Sequence, residues 1–200
     1  MQKAIDYLSK KDIVLKKIVD DFGMPTIPKR KQGFETLSLL ILEQQVSIDS
    51  AKATYNKLKN RVEQFSPENL INLRDEDFRT CGVSRQKTSY IKCLAEAILQ
   101  KSIDLGSLPN KSPDVVRQEL IKIKGIGNWT IDIYLMFVLE TSDIIPLGDI
   151  AVVNTIKELF DIHDKQLMQD YAENWKPYRS MATFLLWHHY LGKRNRKVEY

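Results

Sequence analysis

Residues 120–129 read LIKIKGIGNW, and this stretch decides the fold of the chain. Apolar residues recur at three- and four-residue spacing on both sides of the GIG segment, which predicts two helices joined by a tight turn. Gly125 and Gly127 are predicted to supply positive backbone angles at no steric cost, and Ile126 between them is predicted to pack into the core. The segment is therefore predicted to form a helical hairpin.

The hairpin has the composition of a phosphate-binding site. Because the glycines carry no Cβ atom, a phosphate can approach the backbone, and the N–H groups of residues 125–129 would face it at the start of the second helix. Lys122 and Lys124 flank the turn, and Asn128 begins the helix. The pattern predicts binding of the DNA backbone, which positions a protein without reading bases. The alternative is an ordinary helix corner with a glycine cap.

The same helical spacing continues through most of the chain, and alternating stretches are almost absent, which predicts an all-α fold. Turn signals separate the helices, and two proline-containing starts, at residues 66–67 and 112–113, favour new helices. Helices are predicted at residues 4–21, 34–42, 47–62, from 66, 84–101, 115–123, 128–139, 149–160, 165–175 and 177–191.

Composition restricts the class of protein. Hydrophobic residues make up 43% and charged residues 28% of the 200 residues, which is typical of a globular domain. The net charge of +4 is only a mild preference for polyanions. Cys81 and Cys93 lack metal or disulfide spacing and predict free thiols in a reducing cytoplasm. With no apolar run of about 18 residues and no signal peptide, the chain is expected to be cytoplasmic (nucleoid-associated if bacterial) and without a membrane partner. A monomer is expected, although the sequence itself does not give the oligomeric state.

Four motifs in order carry a family resemblance. They are LEQQVS (42–47), KGIGNWTIDIYLM (124–136), IPLGDIAV (145–152), and WKPYRSMA (175–182) running on to Trp187. Together they resemble the helix-hairpin-helix DNA glycosylases, and within them the alkylbase, 3-methyladenine DNA glycosylase II type, over residues 34–190. The resemblance implies an enzyme that flips damaged bases out of double-stranded DNA in base excision repair. The larger bacterial members carry an N-terminal β domain, so this chain is expected to be the compact form.

The resemblance also implies two lobes with the active site in the cleft between them. The central lobe is expected at residues 31–140, with the hairpin at 112–140, and the second at 1–30 plus 141–200. Relatives that also cut the strand place a lysine nucleophile where this chain has Trp129, so a monofunctional hydrolase is expected. No cysteine follows Cys93, so no iron–sulfur cluster is expected.

Asp149 is the predicted catalytic residue. Hydrolysis of an N-glycosidic bond passes through an oxocarbenium-like sugar, which one carboxylate can stabilise. A cationic alkylated purine leaves without a second acid, which fits the absence of one in these motifs. An N-cap role for Asp149 is the compatible alternative. Glu43 is a weaker second candidate, for which a solvent-facing helix position is favoured.

Aromatic faces suit a cationic base. The resemblance assigns Trp129 and Trp187 to the base pocket, with Tyr134 one residue away from the family's pocket tyrosine, which aligns with Ile133. Core packing is the alternative for each. Trp175, Tyr178 and Arg179 are expected to brace the final helix.

Gln44 and Gln45 occupy the position of the family's intercalating residue, and Gln45 aligns with the wedge that fills the gap left by a flipped base. The alternative is a polar pair that bonds helix-terminal carbonyls. Further cations could line the DNA face, although charge runs are usually solvated surface. They are Lys29, Arg30, Lys31, Arg85, Lys87 and the tail from Lys193 to Lys197.

A structural Na⁺ or K⁺ is possible at the hairpin, because family hairpins hold such an ion through carbonyls near Ile121, Ile123 and Ile126. No other cofactor is expected, since His163, His188 and His189 form no metal-ligand pattern. Three alternatives remain open: a glycosylase for uracil, mismatched thymine or oxidised guanine; a non-catalytic DNA-binding hairpin module; and a helical scaffold unrelated to DNA.

Overall fold

The computed structural model describes residues 1–194, and all regular secondary structure within that range is helical. The all-α prediction is confirmed. The α-helices are α1 (Gln2–Lys11), α2 (Ile13–Phe22), α3 (Phe34–Glu43), α4 (Ile48–Lys59), α5 (Pro67–Ile71), α6 (Asp75–Thr80), α7 (Arg85–Leu99), α8 (Pro113–Leu120), α9 (Asn128–Phe137), α10 (Ile150–Phe160), α11 (Lys165–Ala172) and α12 (Arg179–Gly192). Two 3₁₀ turns cover Leu105–Asn110 and Glu173–Trp175.

The single N-terminal helix predicted at residues 4–21 is wrong, because the chain breaks at Asp12. The Asp12 carboxylate accepts hydrogen bonds from the backbone N–H groups of Val14 and Leu15 and so caps α2. Its second oxygen accepts from the indole N–H of Trp175 at 2.8 Å. The buried Trp175 side chain therefore holds Asp12 in place as the N-cap of α2, and this cap ends α1 and starts a second helix. The sequence prediction also lacked the short helix α6.

The chain divides into two compact units. The central unit comprises Arg30–Tyr134, and the terminal unit comprises Met1–Lys29 together with the chain from Leu135 onward. The predicted lobes placed the second boundary after residue 140, whereas the division in the structure falls inside α9.

The central unit is built around α3. Leu37, Leu40 and Ile41 of this helix are completely buried, and α4 and α7 pack against it. Burial of large aliphatic side chains at helical spacing is the main stabilising contribution to such a unit. The unit also contains the hairpin helix α8 and the first part of α9, up to Tyr134.

The terminal unit packs both N-terminal helices against the last helices of the chain. Leu8, Leu15 and Ile18 of α1 and α2 share one hydrophobic core with residues of α10, α11 and α12. Trp175 is completely buried in this core, which agrees with the expected bracing role. Within residues 1–194, no helix has the length and apolar character required to cross a bilayer.

Candidate active site and DNA-binding hairpin

The turn between α8 and α9 has the predicted hairpin form. Gly125 has φ +93°, and the N–H of Ile126 donates to the carbonyl of Ile123 at 3.0 Å. Ile126 is 3% exposed, so it packs into the core as predicted. The prediction of a positive angle at Gly127 is wrong, because only Gly125 has one in this turn. One left-handed residue suffices to reverse the chain here.

The two glycines have different surroundings. A Cβ atom at Gly125 would lie 2.1 Å from Cγ of Tyr90, whereas one at Gly127 would meet no atom within 4 Å. Gly125 is therefore required by close packing against α7. Gly127 is exposed, and its carbonyl accepts from the N–H of Ile131, so α9 begins directly after it. A helix start with an open approach to the backbone is suited to an anion.

A charged pair within the hairpin joins α8 to α9. The guanidinium of Arg117 donates to the carboxylate of Asp132 at 2.5 Å and to the side-chain oxygen of Asn128 at 3.3 Å. Asp132 is buried, and burial outweighs the nearby guanidinium and raises the pKa of its carboxyl. Sequence reasoning missed this pair, because no local pattern links residues 15 positions apart on two helices.

Lys122 and Lys124 are exposed beside the turn, as a DNA-facing role requires. Several other predicted cations have partners within the protein. Lys29 pairs with Glu140 at 2.7 Å, and Lys193 pairs with Glu158. The ammonium of Lys87 donates to the carbonyl of Leu42, and burial lowers its pKa. Of the tail, residues 195–197 lie outside the described residues.

The segment after α3 contains the predicted wedge residues. Gln44 points its amide toward the hairpin, where it donates to the carbonyl of Gly125 at 2.8 Å and to the hydroxyl of Thr130 at 3.0 Å. Gln45 is exposed and has φ +57°, an uncommon angle for a residue with a side chain. The structure thus gives the two glutamines different roles: Gln44 links the loop to the hairpin, and Gln45 projects from it.

Glu43 forms a nearly buried ion pair with Arg30. Its two oxygens accept from the two terminal nitrogens of the guanidinium at 2.9 Å each, and the side chains are 9% and 12% exposed. The predicted solvent-facing position is therefore wrong for Glu43. A bidentate pair in this environment indicates a structural role.

Glu43→Gln is expected to lower the free energy of unfolding by about 1–3 kcal/mol, because the largely buried guanidinium would face a neutral amide. Urea denaturation at neutral pH measures this loss. Unchanged stability would contradict the structural role of the pair, and a loss of excision without a loss of stability would indicate a catalytic role for Glu43.

The aromatic residues of the predicted base pocket differ in accessibility. Trp129, in the first turn of α9, is half-buried. Tyr134 has no exposed surface, and burial raises the pKa of its hydroxyl to about 12. Ile133, at the family's tyrosine position, is also buried. Core packing accounts for Tyr134 and Ile133, and neither presents an accessible face to a ligand.

In the terminal unit, Asp149 caps α10. Its Oδ1 atom accepts from the backbone N–H groups of Ala151 and Val152 and from the indole N–H of Trp187, each at 3.0 Å. Trp187 in turn stacks on Phe137, with ring centroids 5.7 Å apart and an interplanar angle of 25°. The carboxylate is thus held at a helix start by a half-buried aromatic side chain. Such a rigid carboxylate can stabilise a developing positive charge.

The three carbonyls predicted to bind a monovalent cation belong to residues of different exposure: Ile121 is 45% exposed, and Ile123 and Ile126 are buried. The carbonyl of Ile123 already accepts the hydrogen bond that closes the turn. Among residues 1–194 no group of three His, Cys, Asp or Glu side chains is placed to hold a metal ion.

The helical fold and the GIG hairpin place the chain in the helix-hairpin-helix class of proteins. The family model described as "HhH-GPD superfamily base excision DNA repair protein" matches residues 39–178, and the chain belongs to this family.

Three of the similar proteins are named as 3-methyladenine DNA glycosylases or glycosidases. A putative DNA-3-methyladenine glycosylase of Bacillus subtilis is 28% identical, covering 94% of this chain and 68% of the relative. A structure of the 3-methyladenine DNA glycosylase of Schizosaccharomyces pombe in complex with abasic DNA is similar, with a TM-score of 0.83 and 28% identity over 92% of this chain and 95% of that chain. A DNA-3-methyladenine glycosidase structure from Bacillus halodurans has a TM-score of 0.81 and 28% identity, over 96% of this chain and 91% of that chain.

Proposed function

We propose that this chain is a monofunctional DNA glycosylase that excises alkylated purines of the 3-methyladenine and 7-methylguanine type in base excision repair. The observation that carries the proposal is the geometry of Asp149, whose carboxylate is fixed by two backbone N–H groups of α10 and by Trp187. The similarity to 3-methyladenine glycosylases supports the same substrate class.

The chemistry favours a substrate that is already cationic. A carboxylate beside C1′ stabilises the oxocarbenium-like sugar and orients the attacking water. A purine alkylated at N3 or N7 carries a positive charge, so it departs without protonation by a second acid. Glu43 is occupied by its ion pair with Arg30, which is consistent with a single catalytic carboxylate.

Recognition of the base is assigned to aromatic faces. Trp187 is half-buried beside the carboxylate, and Trp129 is half-buried on α9. Electron-rich indole rings attract a cationic purine more strongly than a neutral one. Gln45 is the proposed wedge, because it projects from its loop and an inserted side chain fills the gap left by a flipped base.

The hairpin is proposed to bind the phosphate backbone of double-stranded DNA through the amides around Gly127, with Lys122 and Lys124 beside it. A monovalent cation bound by the neighbouring carbonyls would add a positive charge next to the phosphate. The proposed setting is the DNA-containing compartment, which is the cytoplasm if the source is bacterial.

The test uses synthetic duplexes that each carry one lesion: 7-methylguanine, uracil, or 8-oxoguanine. Release of the methylated base alone is expected, with strand cleavage only after alkali. Borohydride is expected to trap no covalent complex, because Trp129 cannot form a Schiff base. Preferential release of uracil or 8-oxoguanine would contradict the proposed substrate class, and a trapped complex would contradict the monofunctional assignment.

Replacing Lys122 or Lys124 by Ala is expected to weaken DNA binding on every sequence and to reduce the slope of log Kd against log salt by about one per lysine. Fluorescence anisotropy over a salt series measures the slope. Lys29→Ala is the matched control, because this lysine pairs with Glu140. An unchanged slope in both hairpin variants would remove these lysines from the DNA interface.

A further inference from the structure

The first residues of helix α12 form hydrogen bonds to the segment that leads to Asp149. This segment runs from the end of α9 at Phe137 to the start of α10 at Ile150 and contains no helix or strand. Any fixed position of Asp149 relative to its substrate therefore depends on what holds the segment. Two consecutive residues, Arg179 and Ser180, make most of the bonds to residues 141–144 of the segment.

Ser180 bonds the segment at three points. Its backbone N–H donates to the carbonyl of Ser142 at 3.0 Å, and its hydroxyl donates to the carbonyl of Thr141 at 2.6 Å. The same hydroxyl accepts from the N–H of Ile144 at 3.0 Å. Ser180 is 3% exposed, so water cannot readily replace these bonds. A hydroxyl that both donates and accepts fixes the direction of the backbone as well as its distance.

Arg179 adds a bidentate ion pair with Asp143 of the segment. Its Nε and one terminal nitrogen donate to the two carboxylate oxygens of Asp143 at 2.8 and 3.0 Å, and its other terminal nitrogen donates to Glu173 at 3.0 Å. The guanidinium side chain is 14% exposed. Two parallel charge-assisted bonds define an orientation that a lysine ammonium cannot reproduce.

The other end of the same helix holds the carboxylate itself. Trp187 follows Ser180 by seven residues, which is two helical turns, so both side chains leave the same face of α12. Trp187 donates to Asp149 at 3.0 Å. One helix thus holds the segment at two places, in its middle at residues 141–144 and at its end at Asp149.

We infer that Arg179 and Ser180 are positioning residues, which set the location of the Asp149 carboxylate through the segment at residues 141–149. This inference rests on the proposed function, because it assigns catalysis to Asp149. Small displacements of a catalytic group reduce rate much more than they reduce binding. Loss of the bonds made by either Arg179 or Ser180 therefore lowers the rate constant of excision, while DNA affinity is retained.

The experiment compares Arg179→Lys, Ser180→Ala and Ser180→Thr with wild type in the intact protein. Single-turnover excision of 7-methylguanine and the Kd for a duplex with an abasic-site analogue are measured well below each Tm. Arg179→Lys and Ser180→Ala are expected to lower the rate constant by about tenfold or more, with Kd within about twofold. Ser180→Thr keeps the hydroxyl and is expected to recover most of the rate.

Glu173→Gln is the matched control, because it removes the other carboxylate bound by Arg179 without changing the segment. Its rate is expected to stay within about twofold of wild type. Variants that lose thermal stability but keep the wild-type rate constant would overturn the inference. So would a loss of rate that Ser180→Thr does not recover.

A second readout does not depend on activity. Amide hydrogen exchange at Ala151 and Val152, whose N–H groups bond Asp149, is expected to accelerate in Ser180→Ala and to stay unchanged in Glu173→Gln. Unchanged exchange in both variants would overturn the inference. If wild type excises no methylated base, the proposed function fails, and the exchange experiment still shows whether α12 positions Asp149.

Discussion

Asp149→Asn is expected to lower the single-turnover rate constant for 7-methylguanine excision by about 100-fold or more, while the Kd for DNA changes by less than about twofold. The amide keeps the shape of the side chain and an oxygen for the N–H groups of Ala151 and Val152, so the cap of α10 survives. It removes the negative charge that stabilises the sugar cation. The chemical step is therefore lost without loss of the fold.

Asp161→Asn is the matched control, because it makes the same change in charge at the opposite end of α10. Asp161 is exposed and has φ +54°, a left-handed angle that asparagine tolerates well. This variant is expected to excise at the wild-type rate. Equal losses in the two variants would indicate a general effect of charge and would remove Asp149 from the catalytic role.

Gly125→Ala is expected to lower the free energy of unfolding by about 3 kcal/mol. The added Cβ would lie 2.1 Å from Cγ of Tyr90, and the residue would have to keep φ +93°. Because the turn cannot accommodate both the added Cβ atom and the Tyr90 ring, the hairpin is expected to rearrange. DNA affinity is then expected to fall together with the free energy of unfolding. Thermal and urea denaturation, followed by anisotropy of labelled duplex, measure the two effects.

Gly127→Ala is the informative comparison within the same turn. Its Cβ would meet no atom within 4 Å, so the free energy of unfolding is expected to change by less than about 1 kcal/mol. DNA affinity is still expected to fall, because the methyl group lies where a phosphate would approach the amides. Equal stability losses at the two glycines would contradict the described turn.

The hairpin shows how far local sequence reasoning extends. The GIG spacing predicted the turn and the buried Ile126, since a short connection between two amphipathic helices leaves few alternatives. The same reasoning assigned a positive angle to Gly127 that the structure does not have. The surroundings of the two glycines differ because Tyr90 of α7 packs against Gly125 and not against Gly127. The sequence around the turn contains no sign of this contact, because Tyr90 lies 35 residues earlier in the chain.

Asp149 shows the complementary case. Its place before IAVVNTI predicted an N-cap, which the structure has. Nothing in the spacing indicated that Trp187, 38 residues later, would bond the same oxygen. The resemblance supplied that residue as part of a base pocket. The break at Asp12 and the link from Gln44 to the hairpin were missed for the same reason, because both depend on partners distant in sequence.

The most direct test of the central claim is release of free bases from methylated duplex DNA, followed by chromatography, with wild type and Asp149→Asn side by side. The account predicts that wild type releases 3-methyladenine or 7-methylguanine and leaves alkali-labile sites, and that Asp149→Asn releases almost none. Wild type that binds the DNA but releases no base would contradict it and would leave a DNA-binding module without catalysis.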